Sequence, residues 1–95
     1  MDVRFHLATF QTTTAAVTAQ AITRREGIQA AVMPTPRTLQ ASCGLSIRFA
    51  PEVSAQVDRL LAEELDEGTY GLYAALRTED GQTIFRVLHE ITTEA

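Results

Sequence analysis

Alternation of hydrophobic and polar residues with a period of two predicts the first β-strand over residues 3–8. Val3, Phe5 and Leu7 share one face of this segment, and His6 lies on the other. We therefore expect the first three side chains to be buried. Shorter apolar or alternating segments predict three further strands, over residues 28–33, 45–49 and 69–78.

Apolar residues at helical spacing predict two helices, over residues 15–26 and 51–66. The first has a narrow stripe of small apolar residues after a threonine-rich segment that suits an N-cap, and the stripe consists of Ala15, Ala16, Ala19 and Ile22. Gly27 follows where a left-handed cap residue is expected. The second helix starts at Pro51, ends before Gly68, and has its apolar residues at Val53, Val57, Leu60, Leu61 and Leu65.

The dipeptide Asp80-Gly81 predicts a β-hairpin that joins a fifth strand to the fourth. A two-residue turn there would pair Leu76 with Phe85, Ala74 with Val87, Leu72 with His89 and Tyr70 with Ile91. Helical spacing is also present at Ile84, Val87, Leu88 and Ile91. Residues 83–91 are therefore open to both interpretations, and the turn and the β-branched residues favour the strand.

This order of elements predicts an α+β fold in one domain, residues 1–95. We expect a ferredoxin-like split βαβ arrangement (βαββαβ with an added C-terminal strand), in which both helices cover one face of an antiparallel sheet. His89 would lie on the covered face. The open face would present Arg4, His6, Gln29, Ser46, Arg48, Tyr73, Arg77, Ile84, Arg86 and Leu88. Such a mixture suits a contact surface for self-association, or an ordinary exposed sheet face covered by arginine stems.

Composition narrows the function classes. The chain has 95 residues, a net charge of −4 and one cysteine, and all eight basic residues are arginine. The acidic balance argues against nucleic acid as a partner. The single cysteine excludes an internal disulfide and a cysteine-cluster metal site. No apolar run reaches the ~18 residues of a membrane span, and the N-terminus lacks a signal-peptide layout, so we expect a cytoplasmic protein that does not bind membranes.

The cysteine, Cys43, is the candidate for chemistry. It follows a segment stiffened by Pro34 and Pro36, it precedes Gly44, and Arg37 is the nearest basic residue in the sequence. Gly44 would allow unusual backbone angles and a close approach. Arg37 would favour the thiolate if it folded back. A solvent-reachable reactive thiol is one interpretation, and a small buried residue in a turn is the other. Local features alone favour the second.

The segment Pro-Thr-Pro-Arg-x-Leu-x-x-x-Cys-Gly-Leu-x-Ile-Arg-Phe, residues 34–49, resembles the signature of the DUF3343 family, described as selenium/sulfur carrier protein-like. The resemblance extends over residues 5–65. It implies that the functional cysteine of the family corresponds to Cys43 and its proline–arginine pair to Pro36 and Arg37. The hairpin that follows is longer than the usual ending of the family.

The resemblance implies a sulfur or selenium carrier, an accessory protein rather than a stand-alone enzyme. Cys43 would hold a persulfide-type atom and pass it to a partner protein, and no metal or organic cofactor is expected. Arg37, Pro36 and Gly44 would form the substrate-binding segment. The alternative is a non-catalytic interaction module that forms a homodimer through the open sheet face, with Cys43 structural. A weaker alternative is binding of a small anion by Arg37 and Arg48.

Overall fold

The structure is a computed structural model that describes residues 2–39, 43–65 and 69–89. It contains five strands, two α-helices and one 3₁₀ turn. In chain order these are β1 (Asp2–Phe10), α1 (Thr13–Arg25), β2 (Ala30–Pro34), β3 (Leu45–Phe49), the 3₁₀ turn (Pro51–Val53), α2 (Ser54–Glu64), β4 (Tyr70–Arg77) and β5 (Thr83–His89). Within the described ranges, no helix is long and apolar enough to cross a membrane.

The strands form one sheet in the order β2-β3-β1-β4-β5, and every neighbouring pair is antiparallel. The prediction of an α+β fold is therefore confirmed. Residues 83–89 of the segment that was open to two interpretations form the strand β5, because they pair with β4, and residues 90–91 lie outside the described residues. Strand β2 begins at Ala30, two residues later than the predicted second strand. Ile28 lies before it and belongs to the hydrophobic core.

One hydrophobic core cluster contains side chains of both helices and of the sheet, and we call the sheet face that contributes to it the core face. The predicted stripe of α1 is confirmed, because Ala15, Ala16, Ala19 and Ile22 are all buried there. Helix α2 contributes Val57, Leu60 and Leu61, and the strands contribute Ala8, Phe10, Ile47, Phe49, Tyr70 and Leu72. The Thr12 side chain accepts a hydrogen bond from the Ala15 N–H at 3.0 Å, which is the N-cap expected from the threonine-rich segment.

Strand β1 corrects the sequence prediction. Ala8 and Phe10 belong to the core face, and His6 on the same face bonds to Ser54, so the expected buried face of β1 was the wrong one. The reason is that β1 is central in the sheet, where Leu7 and Ala8 are both fully buried although they point to opposite faces. Alternation cannot identify the core face of such a strand. His6 and His89 therefore share the core face, since His89 pairs with Leu72.

The hairpin register also differs from the prediction. The Gly81 N–H donates to the Thr78 carbonyl, and the Thr78 N–H to the Gln82 carbonyl, so the loop has three residues and ends in Gly81 with φ of 85°. The observed pairs are Leu76–Ile84, Ala75–Phe85, Ala74–Arg86, Tyr73–Val87 and Leu72–His89. Only the predicted Leu72–His89 pair is recovered, because a shift between Leu72 and Tyr73 restores the register there.

The extra loop residue moves β5 side chains to the other face of the sheet. Ile84 and Arg86 pair with core-face residues, whereas the prediction had them on the open face. The predicted pairing of Tyr70 with Ile91 lies outside the described residues. Helix α2 ends at Glu64, two residues before the predicted end at residue 66, because the backbone of Leu65 is already extended.

Candidate functional site

Cys43 lies two residues before β3, and its backbone is held by the end of β1 and by Thr35, the residue after β2. Its N–H donates to the Phe10 carbonyl at the end of β1, at 3.1 Å. Its carbonyl accepts from the Thr35 hydroxyl, also at 3.1 Å. The Thr35 N–H donates to the Gly44 carbonyl at 2.9 Å. The position of Cys43 is therefore fixed by residues that are distant in the sequence.

The sulfur of Cys43 points into the core, beside the first turn of α1. It accepts a hydrogen bond from the Leu45 N–H at 3.4 Å and lies 3.8 Å from the Thr13 hydroxyl oxygen. Thr13 is the first residue of α1, and the amino-terminal end of a helix attracts negative charge. The surroundings of the sulfur thus combine a backbone donor, a hydroxyl group and a favourable helix end.

Cys43 is only 5% exposed and belongs to the hydrophobic core cluster. The solvent-reachable thiol of the reactive interpretation is therefore not present in this conformation. The structure agrees with the other interpretation, in which a small residue fills the turn. Any chemistry at this sulfur requires the surrounding segment to open first.

The proline–arginine pair lies in a β-turn that precedes the cysteine. The Leu39 N–H donates to the Pro36 carbonyl at 3.0 Å, so Arg37 occupies the second position of the turn. Arg37 is exposed, and among the described residues it has no hydrogen bond or ion pair. The structure therefore brings Pro36 and Arg37 into the same connection as Cys43 without a bond between the guanidinium group and the sulfur.

Thr38 and Leu39 belong to the turn that starts at Pro36, and residues 40–42 lie outside the described ranges.

Gly44 does not need the properties of glycine that the sequence suggested. Its φ is not positive, and a Cβ built on it would meet nothing within 4 Å. Neither an unusual backbone angle nor a close approach is therefore present at this position. Gly71 is the glycine with a close approach, because a Cβ there would lie 3.0 Å from the Thr9 hydroxyl oxygen and 3.2 Å from the His89 carbonyl.

The comparison with protein families covers the segment that contains Cys43. Residues 5–70 match the family described as "Putative Se/S carrier protein-like". The chain belongs to this family. The match includes β1 to β3, both helices and Cys43, and it ends at the first residue of β4. Searches of curated proteins and of solved structures found no significant match.

Two threonines of the site in this Se/S carrier-like chain were missed by sequence reasoning. Thr13 was recognised only as part of a capping segment, and its contact with Cys43 spans 30 residues. Thr35 was not singled out, yet its hydroxyl donates to the Cys43 carbonyl at 3.1 Å and lies 2.6 Å from the Ser46 hydroxyl oxygen. A polar residue between two prolines was the available signal. Its partners follow only from the β2–β3 register.

Ser46 and Arg48 follow Cys43 on β3 and point away from the core face. Ser46 is fully buried through its bond to Thr35, so it does not belong to an open surface as expected. Arg48 is exposed, and its guanidinium carbon lies 5.9 Å from the centre of the Phe5 ring. The described contacts give Arg48 this aromatic partner and no contact with Arg37.

His6 forms a second polar contact, in the middle of β1, whereas Cys43 bonds to the last residue of this strand. Its Nδ1 lies 2.6 Å from the Ser54 hydroxyl oxygen at the start of α2, and its ring meets Phe49 edge-on at 6.4 Å between centroids. Partial burial lowers the pKa of His6 from 6.5, and the charge of Glu52 acts against this shift. The neutral imidazole therefore connects β1 to α2. This contact was also missed, because His6 was assigned to the other face.

Proposed function

We propose that this protein carries sulfur or selenium as a persulfide-type adduct on Cys43. The observation that supports this most strongly is the family match, which includes the Cys43 segment. The contacts of the sulfur support it as well. The Leu45 N–H, the Thr13 hydroxyl and the start of α1 surround the position where a negatively charged sulfur would form.

The transfer needs no change in the total oxidation state. The Cys43 thiolate attacks the terminal sulfane sulfur of a donor persulfide, R–S–SH. One S–S bond forms to Cys43, the S–S bond of the donor breaks, and the donor leaves as its thiolate and takes up a proton. The reverse step delivers the sulfane sulfur to a thiol of an acceptor protein. A selenium atom in the terminal position would follow the same exchange.

Opening of the Cys43 segment is a necessary step, because the sulfur is 5% exposed. The hydrogen bonds from Thr35 to the Cys43 and Gly44 carbonyls, and from Cys43 to Phe10, hold the segment closed. A partner protein that binds the loop between β2 and β3 would expose the sulfur by replacing these contacts. The exposed guanidinium of Arg37 would then bind an anionic donor. Pro36 and Gly44 would hold the backbone on either side of the bound donor.

Intact-protein mass spectrometry tests the carrier. The folded protein is incubated with an organic persulfide, freed of excess donor, and weighed. We expect a gain of one sulfur atom, which dithiothreitol removes. Cys43→Ser is a clean control, because the chain has no other cysteine, and it should gain nothing. A folded wild-type protein that gains no sulfur from several persulfide donors would contradict the proposal.

Arg37 is tested by donors of different charge. Arg37→Ala should slow sulfur transfer from glutathione persulfide, which is anionic, by a few-fold, and should leave transfer from a neutral alkyl persulfide unchanged. Arg24→Ala is the matched control, since Arg24 is also exposed but lies in the last turn of α1. Equal rates for all three proteins with both donors would show that Arg37 has no part in donor binding.

The burial of Cys43 supports a second candidate function, a non-catalytic interaction module. In that case Cys43 is structural, and the protein acts through a homodimer or a bound partner. The exposed apolar side chains of Ile84, Val87 and Leu88 on β5 are consistent with a contact surface for a second copy or a partner. One substitution distinguishes the two candidate functions. Cys43→Ser abolishes the activity of a carrier and leaves the assembly of an interaction module unchanged.

We also infer that the strands and helices adopt the ferredoxin-like split βαβ arrangement, with both helices on the core face. The order β2-β3-β1-β4 supports this, since β3 lies between β1 and β2 and β1 lies between β3 and β4. Residues of α1 and α2 in one core cluster support the same arrangement. Strand β5 then extends the sheet next to β4.

A further inference from the structure

Strand β2 is an edge of the sheet and has no charged residue to protect it. It stands first in the strand order and pairs only with β3 among the described strands. Its sequence is Ala-Ala-Val-Met-Pro. Natural proteins usually protect such an edge with charges, bulges or a covering segment, because its unpaired backbone groups can bind another strand. Within the described part of the chain, strand β2 has a proline at its end and none of the other protective features.

The unpaired backbone groups of β2 follow from its pairing with β3. The Thr35 N–H donates to the Gly44 carbonyl, in the same register as the pairs of β2. Alternate residues of an antiparallel strand point to the same neighbour, so Met33 and Ala31 also bond towards β3. Ala30 and Val32 therefore direct both their N–H and C=O groups outwards. Pro34 directs only a carbonyl outwards, since it has no N–H.

These groups match those of a second copy related by a two-fold axis at Val32. Each Val32 N–H would donate to the Val32 carbonyl of the second copy, and each Ala30 N–H to the Pro34 carbonyl of the second copy. Every outward donor of β2 is then bonded. The outward carbonyl of Ala30 has no donor in this pairing, because it lies opposite Pro34 of the second copy, which has no N–H.

The side chains along this edge are also complementary to themselves. On the core face, Val17, Val32 and Leu45 are 56%, 45% and 40% exposed, and they border a narrow apolar cavity of about 50 Å³ between α1 and β2. On the other face, the two-fold axis places Ala31 beside Met33 of the second copy. No like charges meet across the axis, which removes the usual obstacle to edge pairing.

We propose that the protein forms a homodimer by antiparallel pairing of β2 with β2 of a second copy, centred on Val32. The result is a continuous ten-stranded sheet, because each copy contributes its five strands. This inference does not depend on the carrier function, and its surface is an edge of the sheet rather than the open face. The other edge, β5, contains Arg86 and a register shift opposite its end, both of which disfavour pairing.

The first test compares two valines with nearly equal exposure on the two edge strands, Val32 at 45% and Val87 at 44%. Sedimentation equilibrium is measured over a range of protein concentrations. We expect the wild-type protein to form a dimer, and Val32→Asp to raise its dissociation constant at least about tenfold, because two carboxylates would face each other across the axis. Val87→Asp should leave the dissociation constant unchanged.

A second test detects the register without disrupting it. In a Cys43→Ser background, Val32→Cys would place two thiols opposite each other, with Cα atoms about 5.5 Å apart, within the range of a disulfide. Mild oxidation with diamide should give a covalent dimer of folded protein. The matched variant, Val87→Cys in the same background, should stay a monomer on a denaturing gel.

Three results would overturn the proposal. One is a wild-type protein that is monomeric at the highest concentration reached, which would leave the β2 edge for a strand of another protein. Another is a dimer that tolerates Val32→Asp and dissociates with Val87→Asp, which would assign the interface to β5. The third is a dimer whose Val32→Cys form does not cross-link, which would exclude the register centred on Val32.

Discussion

The turn at Cys43 and the hairpin turn between β4 and β5 are closed by different kinds of contact. The Cys43 turn is closed by residues from β1, α1 and the end of β2, and its contacts with Thr13 and Thr35 span 30 and 8 residues. The hairpin turn between β4 and β5 is closed by its own residues, since the hydrogen bonds of Thr78 with Gly81 and Gln82 span at most 4 residues. The Cys43 turn is therefore a product of the tertiary fold, and the hairpin turn is a local structure.

Burial follows the same division. Cys43 and the neighbouring Phe10 are 5% and 0% exposed, whereas Ile84, Val87 and Leu88 on β5 are all at least 41% exposed. The family match covers the Cys43 turn and stops before the hairpin. The region matched by the family model thus contains Cys43 and the core residues around it, whereas β5 lies outside the match.

The largest expected effect compares phenylalanines from the two regions. Phe10 is fully buried, and Phe85 on β5 is half-buried. Phe10→Ala should lower the free energy of unfolding by about 3–5 kcal/mol, because it leaves a cavity beside Cys43. Phe85→Ala should lower it by about 1–2 kcal/mol, since less apolar area leaves water on folding. Urea denaturation followed by circular dichroism measures both. Equal losses would contradict the division between the two regions.

Thr35→Val should have the next largest effect. The substitution keeps the shape of the side chain and removes the hydroxyl that bonds to the Cys43 carbonyl and the Ser46 hydroxyl. Because buried polar groups would lose a partner, we expect a loss of about 1–3 kcal/mol. The Cys43 thiol should also react with a small disulfide reagent faster than global unfolding alone allows.

Thr83→Val is the control for Thr35→Val, since Thr83 is exposed at the start of β5. It should change neither stability nor thiol labelling. If Thr35→Val lowers stability while the Cys43 thiol still reacts only through global unfolding, the Cys43 turn does not open by itself. A carrier function would then need a partner protein to open it.

This division also explains what could be predicted from the sequence. The apolar stripe of α1 and the turn at Asp80-Gly81 were predicted, because both depend on residues close in the sequence. The core face of β1 was not, since Leu7 and Ala8 are both fully buried although they point to opposite faces, and the alternation along β1 is therefore ambiguous. The predicted hairpin register was wrong by one residue, because a two-residue loop and a three-residue loop can both contain glycine at this position.

The candidate site was predicted in part for the same reason. Its residue types were visible in the segment that contains Cys43, and the family resemblance identified that segment. The burial of the sulfur and its contact with Thr13 were not predictable, because they depend on how α1 packs over the start of β3.

The smallest expected effect concerns His6, the polar contact that fixes β1 to α2. Because burial lowers the pKa of His6 in the folded protein below 6.5, the unfolded chain binds a proton at a higher pH than the folded protein does. His6 therefore costs no stability above pH 6.5. As the pH falls below 6.5, the unfolded state gains protons first, so the free energy of unfolding decreases until the folded protein is protonated too. Denaturation of His6→Gln over the same pH range should lack this part of the slope, because glutamine can bond to Ser54 without titrating. An identical slope in the variant would assign the pH dependence to other groups and leave His6 a contact without a titration effect.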